Sequence, residues 1–433
     1  MTRLPLKPAL LLLFLILSAA CDRSPDPKTT PPPRTGITFL HYFTDSLSGG
    51  IAETAKSFNR RSSRYDLNPI PLDHESFETG IRPNLESGHP PDLYSYWAGA
   101  RTASLIDQLE PIDDIWRSNK LDERFSPTVI KAACEYEGKK YFIPLTQHYV
   151  GFFYNKKVFA DSGITPPKSW DEFLVVCERL KARGIIPIAL GTREKWTSQF
   201  WFDLLLLRTA PYEFRQKLMR GEVGYREPAV TEVFARWSQL VQKGYFNSRP
   251  NDLSWDSGAN ELVYSGKAAM TLMGTWIIGY FCDARHGWVA GRDFDFFPFP
   301  VMDQAIPLVS TGPIDGLIVP RKAVNKQGAK EAMLFLTEAE PQLIMSRGSG
   351  ALAPSLLAPA TSYSDIQQRV LREISLSRFF AFPYDLSTPP AVADLGIDAF
   401  TELLEFPEEY RKIQMRLAGD AAQQFSKIRG NAR

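Results

Sequence analysis

FFYNKKVFADSGITPPKSWDEF, Phe152 to Phe173, decides how the rest of the chain reads. Phe152-Phe153-Tyr154 is an apolar, aromatic strand. Asn155, Lys156 and Lys157 suit a turn into a short helical run. Pro166-Pro167 fixes an extended approach to the next element. Trp170 then opens a helix predicted to reach Lys181, with Ser169 as N-cap and Asp171 and Glu172 in the first turn. Gly184 ends that helix, and the strand Ile185–Leu190 returns. Nothing in the stretch suits a catalytic acid, a metal ligand or a phosphate loop. Its residue types serve architecture: a strand, a capped helix and a second strand, with Trp170 packing the helix against the body.

The same alternation runs outward. Upstream, strands are expected at Gly36–Phe43, Leu67–Leu72 and Leu93–Tyr96. Helices fall between them at Ile51–Asn59 and 76–87, and a further one at Ser104–Leu109. That order is an α/β layer with a largely parallel sheet. Downstream, helices dominate Trp201–Lys243. Strands follow at Ala268–Met273, Pro298–Met302 and Gly316–Val319, and the tail Ile366–Ile428 is mostly helical. A chain of 433 residues suggests two or three domains.

Composition narrows the class. The apolar fraction of 44% supports a large core, and a net charge of +1 lacks the basic footprint of a nucleic-acid binder. Residues 1–20 form a signal peptide: Arg3 and Lys7 precede the apolar run Ala9–Leu17, which is too short to span a bilayer. Leu17-Ser18-Ala19-Ala20-Cys21 resembles the lipobox of bacterial lipoproteins, with Cys21 as the lipidated residue. Ser18 departs from the usual Leu or Val, so plain secretory cleavage is the alternative. Residues 21–35 are Pro-rich and polar and read as a spacer. Of the other cysteines, Cys177 reads as a buried apolar residue, while Cys134 and Cys282 could pair.

Four stretches carry a family resemblance. They are Gly88-His89-Pro90-Pro91-Asp92-Leu93; Glu137-Gly138-Lys139-Lys140-Tyr141-Phe142-Ile143-Pro144; the opening stretch from Phe153; and Leu262–Met270 with Gly274-Thr275-Trp276. In this order and spacing the chain resembles the family 1 extracellular solute-binding proteins, the maltose-binding-protein-like receptors of ATP-driven importers. The resemblance implies an α/β, two-lobed periplasmic-binding-protein fold of type II, with hinge-linked lobes and a ligand cleft between them. It places lobe 1 at residues 36–147 and 306–348, and lobe 2 at 148–305 and 349–433. Crossings are expected near Leu145–Tyr149, Val301–Ser310 and Arg347–Ala353.

The implied function is capture of a carbohydrate and its delivery to ABC permease subunits, with no catalysis, cofactor or metal. The protein would be exported to the bacterial cell envelope and anchored to the bilayer by its acylated N-terminus. A sugar site wants aromatic platforms with carboxylates, amides and Arg donors. The candidates at strand ends and crossings are Tyr42, Phe43, Asp45, Tyr96, Trp97, His148, Trp196, Trp276, Asp315 and Arg347. A receptor that signals and feeds no importer fits the resemblance as well, and two further alternatives stay open. One keeps the fold and binds a polyamine, anion or peptide. The other is a secreted carbohydrate-active enzyme, which would need opposed carboxylates such as Glu75 with Glu78 or Asp283 with Asp295. Asp73-His74-Glu75 reads as a solvated turn.

Overall fold

The structure is a computed structural model that describes residues 33–431. The signal peptide, Cys21 and most of the spacer lie outside the described residues. Two sheets, each with its own apolar core, carry the chain.

The first sheet is built from β1 (Thr35–His41), β2 (Tyr65–Pro71), β3 (Leu93–Trp97), β4 (Ile143–Gln147) and a late strand, β10 (Ile314–Ile318). Its order is β2-β1-β3-β10-β4, with β10 antiparallel to both neighbours. The helices α1 (Ser48–Arg61) and α2 (His74–Glu86) connect the first three strands. Asp92 of the Pro-Pro-Asp turn accepts the backbone N–H and the hydroxyl of Thr38, and also the N–H of Asn325. It therefore ties β1 to the entry of β3. The predicted helix Ser104–Leu109 is absent; a one-turn helix at Ala100–Ala103 and a 3-10 turn at Ile106–Gln108 stand there.

The second sheet is β8-β5-β7-β6, made of β5 (Val150–Asn155), β6 (Ile186–Ala189), β7 (Ala268–Gly274) and β8 (Phe294–Phe297). All six residues of β5 are buried. Phe152 packs against Phe173, Trp201, Phe297 and Phe299. Asn155 accepts the N–H of Val158 as an N-cap and donates its amide to the Val263 carbonyl. The helix α3 (Trp170–Ala182) starts with a capping box of Ser169 and Glu172, and Trp170 stacks on Phe173 and Phe299. The quoted stretch thus serves the core of the second body. The strand expected at Pro298–Met302 is displaced to β8; Val301 keeps only an isolated bridge to Ser169.

Three segments join the two bodies. β4 runs into β5 through His148 and Tyr149, and Gln147 exchanges both backbone hydrogen bonds with Leu352 at 2.8 Å. The first and third crossings therefore lie side by side. The second comes later than expected. The strand β9 (Val309–Thr311) pairs with β11 (Phe379–Ala381) and packs on Leu207 of the second body's helix α4 (Gln199–Thr209). The chain regains the first sheet only at Gly312-Pro313, where a Cβ on Gly312 would meet the His148 carbonyl at 2.0 Å. The C-terminal tail also reaches back: Leu386 is buried in the first core, although the helices around it pack on the second.

The three cysteines among the described residues are free. Cys134 is buried in the first core and Cys282 is exposed on the second body, so the pairing considered above does not form. Among the described residues no helix is long and apolar enough to cross a membrane.

Candidate functional site

A cavity of about 700 Å³ opens between the two bodies. The first body lines it with Tyr42, His74, Trp97, Arg101 and Asp315, and the second with Trp196, Phe200, Trp255, Trp276 and Tyr280. His148 and Pro313 of the crossings and Pro383–Leu386 of the tail complete it.

Trp276 is a half-buried platform in the lining. A Cβ on Gly274 would lie 2.0 Å from its ring, so glycine at that position is what lets the indole fold back over the end of β7. His148, Trp196 and Phe200 meet it at interplanar angles of 77°, 60° and 48°, so no parallel ring covers its face. Trp196 in turn meets Trp255, and at 5.9 Å it meets His74 of the first body. Trp97 differs. Tyr42 stacks on it at 4.3 Å, and the Arg101 guanidinium sits 5.0 Å over its ring. It therefore offers an edge to the cavity. One consequence is testable: Gly274→Ala should push the Trp276 indole aside and weaken ligand binding about tenfold or more while β7 keeps its place, as read by titration alongside circular dichroism.

Two polar clusters frame these rings. Asp315 accepts the Tyr42 hydroxyl at 2.8 Å and the Thr146 hydroxyl at 3.0 Å, and the His148 Nε2 lies 3.6 Å away. His148 Nδ1 is 2.9 Å from the Thr275 hydroxyl, so the chain of contacts runs from the first body through a crossing to the second. In the other cluster Arg101 binds Glu78 at 2.6 Å and Asp385 at 2.8 Å. The Asp385 N–H donates to the Gln199 amide oxygen of α4 at 2.8 Å. Arg101 of the first body is thereby tied to a tail loop held on the second.

Burial pushes the Asp315 carboxyl up to about 6, and it pushes the buried His148 ring down to about 3. The signs oppose each other. For Asp315 the unfolded chain gives up its proton near the ordinary value of 3.8, so its contribution to stability is full below that value and lost as pH rises to about 6. For His148 the unfolded chain takes a proton below 6.5 that the folded ring refuses until about 3, so stability falls as pH drops through that window. Melting curves of Asp315→Asn against the parent should show the parent losing ground between about pH 4 and 6, by ~3 kcal/mol, and no further above. Parallel curves would remove this account of Asp315.

The structure brings Tyr42, Trp97, His148, Trp196, Trp276 and Asp315 of the sequence candidates together at the cavity. Phe43 and Tyr96 do not line it. Each sits next to a lining residue, and successive side chains of an extended chain point to opposite sides, which sends these two into the first core. Arg347 also stands outside: it follows the helix Ala339–Ser346 and is itself exposed and paired with Glu53. Asp45 belongs to a 3-10 turn, Asp45–Leu47, and its side chain lies outside the described residues. Asp73-His74-Glu75 is more than a solvated turn: Asp73 caps α2 by accepting the Ser76 N–H, and all three residues line the cavity. Asp295, imagined as half of a catalytic pair, is on β8 bound to Arg369 and does not face Asp283 across the cavity. Among the described residues no group of His, Cys, Asp and Glu could hold a metal ion. Arg101, Trp255, Tyr280 and Asp385 were not anticipated; the helix signal misplaced around Ala100–Leu109 hid the first of them.

The sequence profile of the family described as bacterial extracellular solute-binding protein matches residues 43–343. The chain belongs to that family. An uncharacterized ABC transporter extracellular-binding protein of Pyrococcus horikoshii is 30% identical over 409 residues, which cover 91% of this chain and 90% of that one. Among solved structures, the bacterial solute receptor AcbH, described as having an exclusive preference for β-D-galactopyranose, superposes with a TM-score of 0.82 at 26% identity. It covers 91% of this chain and 100% of its own. A chitin oligosaccharide binding protein superposes with a TM-score of 0.78 at 23% identity, over 90% of this chain and 99% of that one, a likeness of fold. The two-lobed fold of this solute-binding protein is thus the family's.

Proposed function

We propose that this solute-binding protein captures a carbohydrate between its lobes and delivers it to the permease of an ATP-driven importer. The lobes we assign are residues 36–147 and 306–348, amended so that Val309–Thr311 goes with the second body, and residues 148–305 and 349–433. One observation carries the reading: an aromatic lining contributed by both bodies, with the face of Trp276 left uncovered beside hydrogen-bonding carboxylates. Sugar rings have flat CH faces for such platforms and hydroxyls for such acceptors. The ligands named for AcbH and for the chitin oligosaccharide protein support the same class. A ligand touching both walls favours the closed arrangement because only there are both contacts made. No catalytic step is part of this reading. Export to the envelope fits the family, and the lipid anchor at Cys21 is our proposal from the leader sequence.

A thermal-shift screen of the purified protein tests this. A true saccharide ligand at ~100 times its dissociation constant adds about 2.7 kcal/mol of stability. A rise with polyamines or anions alone, or turnover of a glycoside, would contradict it.

A further inference from the structure

The charge of the cavity narrows the class of saccharide, an inference that rests on the sugar-binding reading. Seven carboxylates line it against two guanidiniums. Most of the acids that matter here have a cationic or backbone partner. Glu78 and Asp385 share Arg101, and Asp283 accepts the N–H of Arg285 and of His286. Asp315 is different. It is 4% exposed, and its two oxygens accept from the neutral hydroxyls of Tyr42 and Thr146. Among the described residues its ion-pair neighbour is His148 at 3.6 Å, whose burial keeps the ring neutral, and the Tyr42 phenol and His74 on α2 also act on it. No Lys or Arg among the described residues pairs with it. A carboxylate buried without a cation is costly, and the cost is relieved when a cation docks beside it.

We propose that the ligand is an amino sugar, its ring laid on Trp276 and its ammonium group paired with Asp315. The ammonium supplies the donors that the two hydroxyls leave room for, in a charge-assisted contact stronger than a sugar hydroxyl would make. The indoles of Trp276 and Trp255, which Trp196 meets at 60° and 62° and does not stack on, favour a ring over a linear polyamine. The cavity of about 700 Å³ has room for one or two sugar units.

Matched ligands test this by calorimetry at pH 7.5: gluco, galacto and manno series, each as the free hydroxyl, the free amine and the N-acetyl form, as monosaccharides and disaccharides, with spermidine as a further arm. In whichever series binds, the amine should be tightest, by about ten- to a hundredfold over the hydroxyl form. Asp315→Asn should erase that preference, so that the amine binds no tighter than the hydroxyl form. A hydroxyl or N-acetyl form that binds as tightly as the amine overturns the proposal and leaves the carbohydrate reading standing, as does the absence of binding by every amine form while another saccharide binds. Spermidine binding with no saccharide response overturns both. The wild-type comparison decides even where the variant fails to fold.

Discussion

Trp276→Ala should lower saccharide affinity about 30-fold or more, equivalent to ~2 kcal/mol, while the protein stays folded. The reason is geometric. Trp276 is held over Gly274 with three rings at its borders and none lying flat on it, so its face is the surface a ligand can cover. Its half-buried position means that truncation removes ligand contact without hollowing the core beneath β7. Trp97→Phe should do less, because Tyr42 and Arg101 already occupy the neighbourhood of that ring. Titration of both variants against the ligand chosen by thermal shift checks the order. Equal losses would mean that Trp97 stacks on the sugar as fully as Trp276 does.

The second large effect is on stability. Asp203 and Arg215 form a buried pair in the second body, with Arg215 Nε and Nη2 on one carboxylate oxygen at 2.9 and 2.7 Å. The other oxygen accepts the Tyr384 N–H at 2.6 Å, and Arg215 also donates to the Phe382 carbonyl at 2.8 Å. The pair thus clamps the tail loop that presents Asp385 to Arg101. Asp203→Ala leaves a buried guanidinium without its counter-charge and should cost about 3–5 kcal/mol in denaturant unfolding. It should also loosen the Arg101–Asp385 tie between the bodies, so ligand affinity falls with stability. A loss under about 1 kcal/mol would show that water or another acid replaces the carboxylate.

What the sequence disclosed and what it hid divide along a physical line. Phe152–Phe173 was legible because its signals are local: an apolar aromatic run, an N-cap with acids in the first turn, a proline pair. Gly274-Thr275-Trp276 was legible through the family resemblance, while the packing of the ring over the glycine came only with the structure. Tyr42 and Trp97 were found by their place at strand ends, but their neighbours Phe43 and Tyr96 could be sorted only by the strand's alternation, which the structure fixes. Arg101 with Asp385, and His74 with Trp196, join residues far apart in sequence, and nothing near any of them marks the meeting. The late return at Gly312-Pro313 was hidden likewise, since it depends on β9 finding a partner in the tail at Phe379–Ala381.

A crystal structure of the protein with its best saccharide tests the central claim most directly. The account predicts a sugar ring seated on the Trp276 face, touching Asp315 of the first body at the same time. A saccharide bound on the outer surface, or in contact with only one body, would contradict it.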